Sequence, residues 1–315
     1  MPTQDNPTMI TVFEVSRSDL RFVSAALAQQ VTVDLAKMLS SFSGVVARPL
    51  QLLSAEEPPL DQNLDLTRER DPRLSGRADF ILHSALPINS ALRSLTLSHG
   101  GSLALTGRLG MDSQGLALAF NLWEVSGRTL WACHSAAARR EELPRCLSEL
   151  AGALAYKMGS AQNLEEATQR AASELGTMSM DAFESFAAAT FHLKRIEKMA
   201  HQSQVSAARA LANCLKIDPL YRAPRLLLTE HAMSRIGAGD TSFARTILET
   251  VSELKGDHII FGLLRFEASL LLGETQRASE ILHTLSQSHP GAAQLERAAQ
   301  RLLERGVTPR AAQSP

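Results

Sequence analysis

The sequence predicts a multidomain α+β chain: an N-terminal α/β domain with a mixed sheet, then C-terminal all-α helical-hairpin repeats. Three observations carry that prediction. A spacing recurs in the last third: Ala207, Leu211 and Pro219 stand at offsets 0, 4 and 12, and Ala278, Leu282 and Pro290 repeat it 71 residues later. Ala244 and Leu248 mark a middle unit with Lys255-Gly256 as its stop, so the steps from Ala to Ala are 37 and 34 residues. A period in that range belongs to stacked helical hairpins, each of which buries its apolar face against a neighbour. Next, the first 53 residues read strand, helix, strand, the order of a parallel βαβ unit with a right-handed crossover. Finally, three strand-like runs follow one another between residues 102 and 135, joined by turn chemistry, as in an antiparallel meander.

Residues 1–7 are polar with two prolines and read as a frayed end. Thr8–Val15 (TMITVFEV) is a β-branched strand. Ser18-Asp19 offers an N-cap for a helix from Leu20 to Phe42, in which Phe22, Val23, Ala26, Leu27, Val31, Leu35, Met38 and Leu39 recur at helical spacing. Gly44 ends it, and Val45–Leu53 returns to strand. Residues 54–77 hold Glu56-Glu57-Pro58-Pro59 and Arg68-Glu69-Arg70-Asp71-Pro72-Arg73, a long solvated loop for which a functional lid is the alternative. Ala78–Leu86 is a strand stopped by Pro87, and Leu95–Leu97 is a short strand. The meander comprises Ser102–Leu109, Leu116–Val125 and Arg128–Ser135. Glu142–Met158 is amphipathic, with Leu143, Leu147, Leu150, Leu154 and Met158 along one side. These elements make residues 1–160 one domain, a mixed sheet covered by at least two helices.

Residues 161–180 read as a linker containing the helix Asn163–Leu175. The repeats occupy 181–306: Asp181–Lys198, Gln204–Ile217, Tyr221–Ile236, Thr241–Leu254, His258–Leu272, Glu274–Ser288 and a capping helix, Gly291–Arg305. Residues 307–315 read as a disordered tail.

Two resemblances follow from these runs. Leu103–Leu109 with Gly107, then Leu116–Val125, Gly127-Arg128-Thr129-Leu130-Trp131 and Leu147–Gly159 resemble the amino-terminal domain of TolB and its relatives, with Glu124 at the usual acidic position. Pro87–Gly101 departs from that compact pattern. Leu271–Pro290 (LLGETQRASEIL…P) resembles a tetratricopeptide repeat, with Ala278 as the small residue and Pro290 opening the next unit; the usual Trp and Tyr are absent. The pairing of the two domains implies a bacterial regulatory or scaffold protein.

Composition narrows the function further. Net charge is −1, and both halves are close to neutral, so a phosphate-backbone partner has no electrostatic support. Three cysteines (Cys133, Cys146, Cys214) are an odd, sparse set that fits a reducing compartment. No secretory signal and no long apolar run is evident, so the chain is expected to be soluble and cytoplasmic. There is no Walker loop, dinucleotide fingerprint, HExxH or GxSxG. His99-Gly100-Gly101 reads as a turn, although an oxyanion loop can look alike. Cys133, His134 and Cys146 are soft ligands, but adjacent strand positions 133 and 134 point to opposite faces, so no metal or other cofactor is expected. Trp123 and Trp131 on adjacent strands read as a cross-strand or core contact, with an exposed aromatic patch as the alternative. His192, Lys194, Arg195, Lys198 and His201 read as a solvated basic face.

The candidate partner-binding residues are Arg209, Arg222, Arg225 and Arg235. Guanidinium groups on a concave repeat groove can clamp a carboxylate with two parallel hydrogen bonds; the plain alternative is solvation. The expectation is a non-enzymatic interaction or scaffold protein that takes a protein segment in its groove, or associates with itself. The rivals are a small-ligand sensor with a cavity beside Trp123 or Trp131, and an enzyme with a site at the seam between the domains.

Overall fold

Thr8–Phe13 (β1) is the strand on which the N-terminal part is built. Its Thr, Ile and Val side chains suit an extended backbone. Successive side chains go to opposite faces: Ile10 and Val12 enter one buried cluster and Phe13 another. The computed structural model describes residues 7–13, 15–17, 24–50, 79–81, 90–112, 115–125, 129–195, 201–254 and 259–306. The chain divides into two units, residues 1–187 and 188–315.

In the first unit, β2 (Ser16–Arg17) follows β1, and α1 (Ala25–Ser40) leads to β3 (Val45–Leu50). β4 (Asp79–Ile81) and α2 (Ser90–Ser98) precede the meander of β5 (Leu103–Asp112), β6 (Gly115–Glu124) and β7 (Thr129–Ala138). Among the described residues the sheet has seven strands in the order β3-β1-β5-β6-β7-β4, with β2 also paired to β5. β1 is parallel to both β3 and β5, whereas β5, β6, β7 and β4 are antiparallel in turn, so the expected mixed sheet is present.

The βαβ crossover is fastened at both ends. The Ser24 hydroxyl accepts from the Leu27 N–H at 3.1 Å and caps α1; the cap expected at Ser18-Asp19 lies outside the described residues. Inside the helix, Thr32 Oγ1 donates to the Ala28 carbonyl and accepts from the Val15 N–H, tying the helix to the link between β1 and β2. At the other end Ser40 Oγ both donates to the Ala47 carbonyl and accepts from its N–H. That satisfies one outward-facing peptide pair of the edge strand β3, which would otherwise be open to another chain.

One face of the sheet is covered by α1 and by α3 (Leu143–Lys157), which follows a short 3₁₀ turn at Arg140–Glu142. Val31, Leu35, Leu39, Leu147 and Leu154 pack there with Ile10, Val12, Leu105, Leu109, Phe120 and Leu122. Gly107 lies opposite Phe120, and a Cβ at residue 107 would stand 2.4 Å from the Phe120 ring. The strand glycine therefore makes room for an aromatic neighbour. On the other face Phe13, Ala104 and Trp123 meet Leu92 of α2.

One expectation is corrected in this unit. Leu95–Leu97 is not a strand but part of α2: alternation of Leu, Thr and Leu fits either period over three residues. The i, i+3, i+4 set Leu92, Leu95 and Thr96 faces the sheet, while Leu97 is 56% exposed. His99-Gly100-Gly101 is the end of that helix: Gly100 has φ +70°, Gly101 N–H donates to the Thr96 carbonyl and Gly100 N–H to the Leu97 carbonyl. The helix read within residues 161–180, α4 (Leu164–Leu175), packs in the first unit's core. Asn163 caps it by accepting from the Glu165 and Glu166 N–H groups, and Gly176 (φ +80°) ends it. Ala167, Ala171 and Leu175 make a buried stripe against α1 and α3. At Gly152 an added Cβ would stand 2.6 Å from the Thr168 backbone nitrogen, so the two helices touch almost backbone to backbone. The first turns of α5 (Met180–Arg195) join the same core through Met180 and Phe183, and the first unit runs to residue 187.

The second unit is the expected run of helices: α6 (His201–Ile217), α7 (Arg222–Gly237), α8 (Thr241–Ser252), α9 (Ile259–Leu271), α10 (Thr275–Ser288) and α11 (Ala293–Glu304). The spacing marks are what hold it together. Ala207, Leu211, Ala244, Leu248, Ala278 and Leu282 are all buried, on α6, α8 and α10. Successive helices pack in hairpins; in addition α6 packs on α8 and α7 on α9, the side-by-side contacts of a stack. Gly262 of α9 would place a Cβ 2.3 Å from Leu285 of α10, so a small residue sets that crossing too. Among the described residues of the second unit, the pairs α7/α8 and α9/α10 lie between α6 and α11. The loop at 54–77, the stop at Lys255-Gly256 and the tail at 307–315 lie outside the described residues.

Candidate functional site

Helix α7 carries the feature of the second unit that packing does not explain. Its buried residues, Pro224, Leu228, Ala232 and Ile236, recur every fourth position and form one face. Pro224 sits in the first turn, where its missing N–H has no helical partner to lose. On the opposite face stand Arg222, Leu226, Glu230 and Met233, all exposed. Leu226 is 51% and Met233 41% exposed. The turn into the helix adds Leu220 at 81% and the last residue of α6, Ile217, at 42%. Among the described residues seven large apolar side chains are exposed, and four of them fall between 217 and 233. A single exposed Leu is ordinary; a cluster rimmed by charge marks a contact surface.

The four candidate arginines stand in different settings. Arg222 lies on the exposed stripe. Arg235 sits on the flank of the buried face and is ion-paired to Asp240, which also accepts the Phe243 N–H at 2.9 Å and so caps α8. Its guanidinium is thus built into the α7–α8 turn and does not serve as an open clamp. Arg225 Nη2 donates to the Pro219 carbonyl at 3.0 Å, closing the α6–α7 turn. Arg209 is exposed on α6. Of the four, Arg222 stands on the exposed stripe, while Arg225 and Arg235 have partners in the turns at either end of α7.

Beneath α7 the packing is partly polar. The His231 and Phe243 rings stand nearly perpendicular, with centres 5.1 Å apart. Burial first, then the nearby Arg235 charge, hold His231 below the ordinary imidazole value. Cys214 of α6 is buried, and burial pushes its thiol up to about 12, which keeps it in the neutral form and suits a packing role. At the far end Glu267 of α9 pairs with Arg301 of α11; burial raises the Glu267 carboxyl against the lowering effect of Arg301. That pair fastens the terminal helix.

In the first unit the indole of Trp123 is buried, and its N–H donates to Thr106 Oγ1 at 2.9 Å. Its role is core packing. The β6–β7 register places Trp131 opposite Leu122 and Thr129 opposite Trp123, so the two tryptophans are not a cross-strand pair. Cys133 is opposite Phe120 and His134 opposite Ala119. Among the described residues no group of His, Cys, Asp and Glu is arranged to hold a metal ion, and no helix is long and apolar enough to cross a membrane. His192 is exposed, its ring edge-on to Phe191 at 6.5 Å. Lys198 lies outside the described residues.

The sequence reading missed Leu226, Glu230 and Met233. The signal was there: in RLLLTEHAMSRI the period of 3.6 assigns Leu228, Ala232 and Ile236 to one face and leaves Leu226 and Met233 off it. A run of three leucines hides that split until the buried face is known.

No family model and no curated protein matches the chain. Among solved structures it is similar to the PelC dodecamer from Paraburkholderia phytofirmans, at 11% identity and a TM-score of 0.26 over 55% of this chain and 89% of that one. A variant of the same PelC dodecamer aligns at 12% identity and a TM-score of 0.26, over 57% of this chain and 93% of that one.

Proposed function

We propose that the chain is a non-catalytic interaction protein of the cytoplasm whose helical unit holds a protein partner against α7. One observation carries this reading: the exposed stripe of Leu226 and Met233, extended by Leu220 and edged by Arg222 and Glu230. Keeping such side chains in water costs roughly 25 cal/mol for each Å² of apolar surface that a partner could cover. The helices would act as tetratricopeptide-like repeats, and the mixed-sheet unit as a recognition or assembly module of the TolB amino-terminal type. Support for that pairing is the βαβ-plus-meander order and the buried Ala and Leu marks of the array. The sparse, odd cysteine set supports a reducing compartment.

The test is affinity capture from the native cell extract. Leu226→Asp with Met233→Asp in the full chain should lose the protein that the unmodified chain retains, while Arg245→Glu on the exposed face of α8 should keep it. Identical recovery with both variants would remove α7 from consideration.

A further inference from the structure

We propose that the occupant of the α7 stripe is a second copy of this chain, docked antiparallel about a two-fold axis through Leu226. This inference rests on the stripe being a contact surface and names what covers it. The pattern along the stripe is its own complement. Arg222 and Glu230 stand four residues before and four after Leu226, about 6 Å to either side along the helix axis. A two-fold axis at Leu226 places each Arg222 beside the other copy's Glu230, and sets Leu226 against its own counterpart. The ends match as well: Met233, seven residues after the axis, meets Leu220, six residues before it. Both apolar ends are exposed in the isolated chain. An isologous interface needs this property, that one patch be complementary to itself.

The charges are open for that use. Neither Arg222 nor Glu230 makes an ion pair with the described residues, in contrast to Arg235 and Arg225, which the turns consume. Parallel docking would put Arg222 against Arg222 and Glu230 against Glu230, so like charges disfavour it. Exposed ion pairs contribute little energy but set orientation; Leu226, Met233 and Leu220 supply the contact. The patch is small against the roughly 1,200–2,000 Å² of a standard interface, so the dimer should be weak and concentration-dependent.

Sedimentation velocity of the full chain over a wide micromolar series tests this. The unmodified chain should pass from one to two chain masses. Arg222→Glu and Glu230→Arg should each weaken dimerisation by roughly tenfold or more, since each puts like charges across the axis twice. The double exchange, Arg222→Glu with Glu230→Arg, should restore the unmodified behaviour, because the pairs re-form with signs reversed. Leu226→Asp should abolish the dimer. A chain that stays monomeric throughout, single reversals without effect, or a double exchange no better than either single one would overturn the proposal. A monomeric chain that still captures another protein through Leu226 and Met233 would overturn the self-docking alone and leave the contact-surface reading standing.

Discussion

At the scale of single residues, the second unit separates groups that work by being buried from groups that work by being exposed. Cys214 and His231 belong to the first kind. His231 has a lowered value in the folded chain, because burial and Arg235 both disfavour the imidazolium. A base with a lowered folded value contributes stability above its unfolded value of about 6.5 and loses it as pH falls through that value toward the folded one. Part of the loss of thermal stability on moving from neutral pH to about pH 5.5 should therefore come from His231. Comparing melting temperatures of the unmodified chain and His231→Gln across that range checks it: the variant should show a shallower slope. An unchanged slope would mean that the imidazole takes up its proton without cost. Leu226 and Met233 belong to the second kind, and polar substitutions there should change stability by only about 0.5 kcal/mol, as at other surface sites.

At the scale of elements, caps and close approaches decide where helices stop and how near they lie. Asp240 has two duties: it accepts the Phe243 N–H, and it receives Arg235 from the preceding helix. Asp240→Ala removes both and should cost about 1–2 kcal/mol, read from urea unfolding followed by far-UV circular dichroism. Asp240→Asn keeps the cap but loses the charge, and should recover most of that. Equal loss in both variants would place the whole effect on the ion pair. Helices were the legible elements, since Asn163, Asp240 and the positive-φ glycines Gly176 and Gly273 punctuate them in the sequence. The short α2 was not, because three residues of Leu-Thr-Leu satisfy strand and helix periods alike. Packing partners were less legible still: nothing in the spacing of α4 says that its Ala167, Ala171 and Leu175 face α1 and α3, until the absent side chain of Gly152 is seen to admit Thr168.

At the scale of the whole molecule, the order of elements follows from the chain, and the use of its surfaces does not. The mixed sheet with helical cover and the stacked hairpins correspond to the periods of the sequence, because each period fixes which face must leave water. The candidate site was legible only in part. Arginine is rich in donors, and four of them near a groove suggested a clamp; the fold spends Arg235 and Arg225 on turns, and sequence spacing does not distinguish a turn contact from an open one. The α7 stripe holds four of the seven large apolar side chains exposed among the described residues when its entry turn is included. The most direct measurement is site-specific photocrosslinking in living cells, with a photoreactive side chain at Leu226 and, separately, at Arg245 on α8. A contact surface on α7 predicts a defined protein adduct from position 226 and none from 245. No adduct from 226, or the same adduct from both positions, would contradict it.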